Sequence, residues 1–123
     1  MQLAVAHGAR VIATSRNEEK IDRLRRLGAF ELINTSKKPN WDEEVRALTS
    51  GRGVDQILEV VDGDSVQRSI IAAAWGGHVA IIGFWEGKES TISLPPVIGK
   101  AVNIRGFSVG SRKDTEDLLS FLE

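Results

Sequence analysis

Ser15 and Arg16 are the residues best placed to do chemistry. They follow a short β-branched run, Arg10 to Thr14 (RVIAT), and Lys20 stands one turn into the helix expected next. A hydroxyl beside a guanidinium fork suits a phosphate, and Lys20 adds positive charge. The ordinary alternative is that Ser15 caps that helix, since Ser15 and Glu18 have capping-box spacing, and that Arg16 is solvated. A second group falls at expected strand ends: Val61, then Ile82-Gly83-Phe84, then Ser108-Val109. The C-terminal rim of an open α/β sheet is where ligands bind, and Gly83 permits close backbone approach. The plain reading of each is strand-end packing, and of Gly83 a turn.

The other candidates are bland. There is no Cys, which removes disulfides, Cys-based zinc sites and thiol nucleophiles. His7 and His78 are far apart in sequence; His7 sits near a helix end, where a cation complements the dipole. Glu59 lies within a strand and is expected to pair or to point to an edge. Asp42-Glu43-Glu44 reads as the acid-rich first turn of a helix rather than a paired-carboxylate site. Trp41, Trp75 and Trp85 read as core or lid contacts, because no basic groove accompanies them as nucleic-acid binding would need. Gly51-Arg52-Gly53 follows a helix and precedes a strand, so it is a helix stop. A phosphate loop needs the opposite order, strand, glycines, helix. Gly106 to Gly110 follows a strand but lacks a third glycine or a long spacing.

At 123 residues the chain fits one domain. Its 41% hydrophobic and 27% charged content is that of an ordinary globular chain. A net charge of −1 with interspersed signs gives no footprint for nucleic acid or an anionic membrane. No apolar run approaches the roughly 20 residues of a membrane span, and the start lacks the pattern of a signal peptide. A cytoplasmic location is the expectation.

Two periodicities alternate along the chain. Helical stripes are expected over residues 1–7, 17–27 (Ile21, Leu24, Leu27), 41–48 (Trp41, Val45, Leu48), 64–75 (Val66, Ile70, Ala73) and 113–122, the last with Leu118, Leu119 and Leu122 buried. Strands are expected over 10–14, 31–34, 54–61, 78–82 and 101–109, with Gly76-Gly77 turning the chain and a possible extended piece at 91–94. Such alternation implies an α/β domain of three layers, a mostly parallel sheet with helices on both faces. The pattern alone does not separate a dinucleotide-binding fold from a flavodoxin-like one.

The string LAVAHGARVIATSRNEEKIDRLRRLGA resembles the second βα unit of the medium-chain dehydrogenase/reductase superfamily, the zinc alcohol dehydrogenases and quinone reductases. GRGVDQILEVVDG, GGHVAIIGF and NIRGFSVGSR resemble that family's fourth, fifth and sixth strands, in order and spacing, so the resemblance covers essentially the whole chain. It implies a Rossmann-like domain lacking the first strand and Gly-rich loop, truncated at both ends, with the catalytic domain absent. It implies hydride transfer between NADP(H) and an alcohol, carbonyl or activated alkene. Ser15 stands where an acid would select NAD, so NADP is expected to be preferred over NAD. Val61, Ile82, Gly83, Phe84, Ser108 and Val109 would line the adenosine and nicotinamide halves. Asp62 departs from the family's usual Gly, which puts cofactor affinity in doubt. Zinc use is open, and no zinc ligands are carried over.

By this reading the isolated chain is expected to be inactive. The runner-up is a non-enzymatic nucleotide-binding or dimerisation module, with a homodimer formed through the edge strand Asn103 to Phe107. A receiver-like domain is weaker, because apart from Asp62 the strand ends carry no acids. In the family's strand order the absent strand would lie between 10–14 and 56–60. Buried unpaired amides are costly, so those two segments are expected to close up and pair, giving strand order 3-2-4-5-6.

Overall fold

The computed structural model of the protein describes residues 1–61, 63–85 and 87–122. The chain opens with α1 (Gln2–Ala6), closed by Gly8 at φ +79°, a left-handed conformation that favours glycine. β1 (Ile12–Ser15) leads through α2 (Glu18–Arg26) to β2 (Glu31–Asn34), and β1 and β2 pair in parallel with Ser15 opposite Asn34. α3 (Trp41–Leu48) precedes β3 (Val54–Glu59), α4 (Asp64–Ala72) and β4 (Ala73–Ile81). α5 (Leu94–Gly99), β5 (Asn103–Gly106) and α6 (Arg112–Leu122) complete the order. β3, β4 and β5 pair in parallel in that order.

The α/β architecture expected from the alternation is present, but its strands form two sheets, β1-β2 and β3-β4-β5. The expected closure of residues 10–14 onto 56–60 does not occur. Leu58 and Val60 are 60% and 52% exposed. Water therefore reaches β3 and can hydrate its unpaired backbone groups, so the premise of buried amides fails. What joins the halves is side-chain packing: Ile12 of β1 and Val54 and Ile57 of β3 contact one cluster with Ile33, Val45 and Ala72. A second cluster, Val66, Ile70, Ala73, Val79 and Val102, lies between α4 and the larger sheet. Gly53 fixes the approach of β3 to α4, for a Cβ there would stand 2.5 Å from the Ala72 carbonyl oxygen.

Several local expectations change. Gly76-Gly77 lies inside β4 as a register slip, with Val54 opposite Ala73 but Gln56 opposite His78. Residues 91–94 are not a strand. Instead Ser93 precedes α5, which carries Pro95 and Pro96 in its first turn, where no intrahelical N–H bond is lost. Leu118, Leu119 and Leu122 of α6 are exposed rather than buried. The main aromatic contact there is Phe121 stacked on His7, with ring centroids 5.0 Å apart. Trp75 and Trp85 are also exposed, while Trp41 packs against the cluster that joins the sheets. No helix among the described residues is long and apolar enough to cross a membrane.

Candidate functional site

Ser15 ends β1, and the chain turns there into α2. The helix is capped by Asn17, whose side-chain oxygen accepts the Lys20 amide N–H at 3.1 Å. Ser15 is thus not the cap that its spacing to Glu18 suggested. Its hydroxyl oxygen accepts the Asn17 N–H at 3.1 Å, which stiffens the turn and leaves the hydroxyl proton to be donated. Thr35 N–H donates to the Ser15 carbonyl, and the Ser36 hydroxyl donates to the Arg16 carbonyl at 3.1 Å, so the loop after β2 braces the same turn. Arg16 and Lys20 are exposed. Glu18, an acid in this stretch, accepts from Asn34 at 2.9 Å and pairs with Lys37. The Lys37 ammonium holds its carboxyl below the usual carboxylate value, with Asn34 adding to the effect. The segment from Ser15 to Lys20 thus carries a hydroxyl and two cationic side chains, and its acid Glu18 is bonded to Lys37 and Asn34.

The other rim residues follow the C-terminal ends of three adjacent strands: Val61 after β3, Ile82-Gly83-Phe84 after β4 and Ser108-Val109 beyond β5. The Ile82 N–H donates to the Glu59 carbonyl at 2.9 Å and the Phe107 N–H to the Ile81 carbonyl at 2.9 Å. Gly83 has a reason internal to the fold, since a Cβ there would lie 2.9 Å from the Val60 carbonyl oxygen. Phe84 and Val109 are largely exposed. An open cavity of about 570 Å³ adjoins this rim, lined by Val66, Ile81, Gly83, Phe84, Lys88 and Ser90. The Ser15 turn belongs to the smaller sheet and the remaining rim to the larger one. Asp62, the departure noted above, lies outside the described residues.

Sequence reasoning gave Glu59 no part in the site. It was expected to pair or to point to an edge, and its side chain lies buried at the end of β3. It is 3% exposed, accepting the Val61 N–H at 2.8 Å, the Ser65 hydroxyl at 2.8 Å and the Ser69 hydroxyl at 2.5 Å. The signal available was an acid in an apolar strand followed by two serines on the next helix. Lys88 and Ser90, which also line the cavity, were not singled out in the sequence. Among the described residues, no group of three or more His, Cys, Asp or Glu side chains is placed to hold a metal ion.

The sequence profile of the zinc-binding dehydrogenases matches residues 1–123. The chain belongs to that family. It is 34% identical to a zinc-type alcohol dehydrogenase-like protein of Schizosaccharomyces pombe, over 100% of this chain and 37% of the relative. It is 27% identical to the quinone oxidoreductase of Rattus norvegicus, over 94% of this chain and 34% of that one. A solved structure of a candidate alcohol dehydrogenase from Sinorhizobium meliloti 1021 superposes with a TM-score of 0.90 at 41% identity, covering 98% of this chain and 35% of that chain. The chain thus spans about a third of the length of these relatives. The family supplies the Rossmann-like fold that the alternation alone left open against a flavodoxin-like one.

Proposed function

We propose that residues 1–123 are a partial cofactor-binding domain of an NAD(P)-dependent oxidoreductase of the alcohol dehydrogenase/quinone reductase type, with NADP(H) preferred over NAD(H). The reaction would be hydride transfer between the cofactor and an alcohol, carbonyl or activated alkene. The observation that supports the preference is the segment after β1, which carries Ser15, Arg16 and Lys20 close in sequence and in which Glu18 is bonded to Lys37 and Asn34. A ribose 2′-phosphate would be met there by a hydroxyl and two cations, where an acid would instead favour a free 2′-hydroxyl. Val61, Ile82, Gly83, Phe84, Ser108 and Val109 would line the rest of the dinucleotide by backbone and apolar contact. When bound, the nicotinamide supplies the hydride chemistry, and this chain's residues bind and orient it. Substrate turnover is not expected from residues 1–123 alone.

Binding of adenosine 2′,5′-bisphosphate and of 5′-AMP to the purified chain tests the preference. The doubly phosphorylated ligand should bind about tenfold more tightly, and Arg16→Ala with Lys20→Ala should erase that margin while leaving 5′-AMP affinity unchanged. Equal affinity for both ligands in the unmodified chain would refute the NADP assignment. A second reading, a dimerisation module, draws on β5, which pairs only with β4 among the described strands and is exposed along its length. A homodimer through residues 103–107 would appear as a doubled mass in solution.

A further inference from the structure

We infer that Glu59 is the positioning residue of the proposed cofactor rim, gathering the ends of β3 and β4 and the first turns of α4 into one fixed arrangement. The inference rests on the cofactor reading above and extends it to a residue that would not itself touch the ligand. Glu59 is the last residue of β3 and its side chain is buried. Its Oε1 accepts the backbone N–H of Val61, the next rim residue but one. Its Oε2 accepts the hydroxyls of Ser65 and Ser69, one turn apart on α4. Its main-chain carbonyl accepts the N–H of Ile82, the first rim residue after β4. The carbonyl of the next residue, Val60, is what Gly83 packs against. Val61, Ile82 and Gly83 are therefore all placed through Glu59 or its immediate neighbour.

Core packing does not explain a carboxylate here. Burying a charge is costly unless hydrogen bonds compensate it, and apolar packing alone would not call for a carboxylate. What a carboxylate adds is several acceptor lone pairs in two directions. One oxygen holds a strand-end amide while the other holds two helix hydroxyls, and the negative charge is favourable at the N-terminal end of α4. The result is a strand end whose path is dictated by hydrogen bonds rather than by side-chain bulk. A rim that approaches a ligand by backbone groups needs that definition.

The test compares the unmodified chain with Glu59→Gln, Glu59→Met and the Ser65→Ala/Ser69→Ala pair, titrating each with adenosine 2′,5′-bisphosphate while following the amide resonances of Val61, Ile82 and Gly83. Glutamine keeps one acceptor for the Val61 N–H and should stay within about twofold of the unmodified affinity. Methionine fills the space without accepting a bond. It should lower the thermal midpoint, because the Val61 N–H and both serine hydroxyls lose their acceptor, and weaken binding about tenfold, with the Val61 amide exchanging faster. The serine pair should weaken binding about threefold while remaining folded, and it decides the matter if the methionine variant does not fold. Unchanged affinity in the folded methionine variant, or in the serine pair should methionine not fold, would reduce Glu59 to a structural role and overturn the inference alone. If the unmodified chain leaves the rim amides unmoved by the ligand, the cofactor reading fails first and this inference with it.

Discussion

Ser111 and Asp114 bind each other across the start of α6. The Ser111 N–H and hydroxyl donate to Asp114 Oδ2 at 2.6 and 2.7 Å, and the Asp114 N–H donates back to the Ser111 hydroxyl at 3.3 Å. This is a capping box with Asp in place of the usual Glu. The Ser111 hydroxyl, and then its backbone N–H, hold the Asp114 carboxyl below its ordinary value. Because the folded value is the lower one, the contribution is fully present above the ordinary carboxylate pKa of about 3.9 and is lost as pH falls through the folded value. The Ser111 amide resonance should accordingly titrate with a midpoint below that of a free carboxylate, with fraying of the first turn of α6. Asp114→Ala should abolish the titration and leave the turn frayed at neutral pH; a persistent titration would refute the assignment. The passage from β1 to α2 was legible in this way, with Ser15 closing the strand and Glu18 opening the helix. Glu59 was not legible, because its hydroxyl partners come from the next helix and strand patterning does not say what a buried acid will meet. The cap of α2 fell to Asn17 rather than Ser15, since a side-chain oxygen three residues before Lys20 reaches its amide directly.

Elements were legible where periodicity is local. β2 and α3 begin and end where the apolar pattern places them, and the Val66, Ile70, Ala73 stripe enters the core. Packing between elements was not. Asp42 fits its expected place in the acidic first turn of α3, yet it is buried and bonds Arg68 of α4 at 2.6 Å. That ion pair is the polar contact of the α3–α4 interface, and 34% of the Arg68 side chain remains exposed. Removing one partner of a fully buried pair costs about 3–5 kcal/mol because the other charge is stranded. Access of water to the Arg68 side discounts this, so Arg68→Ala should cost about 1–3 kcal/mol in denaturant unfolding. Asp42→Asn in the Arg68→Ala background should recover part of the loss. Additive losses would mean the two residues act separately. α5 was not expected from the sequence, although two prolines soon after Ser93 are compatible with a helix start. The apolar stripe of α6 was read correctly as a stripe and wrongly as buried, since periodicity marks a face without naming what covers it.

At the scale of the whole molecule, the five strands among the described residues are held as two sheets by a shared layer of side chains and helices. The expectation of closure treated backbone pairing as the dominant demand. In the structure packing dominates: α4 is locked to β3 at Gly53, α3 lies against α4, and Ile12 meets Val54 and Ile57 in one cluster. Moving β1 by a strand spacing of about 4.8 Å would have to break that layer, while hydration already serves the unpaired edges. Amide exchange distinguishes the two arrangements. Along a parallel strand, alternate N–H groups point to opposite neighbours. Among the described strands, β4 has a partner on each side and β3 on one only. Exchange along β3 should therefore alternate, with amides directed at β4 protected about a thousandfold more than those between them, whereas β4 should be protected throughout over residues 78–81. Uniform protection along both β1 and β3 would mean that the sheets join in solution, and that the helix layer yields to backbone pairing after all.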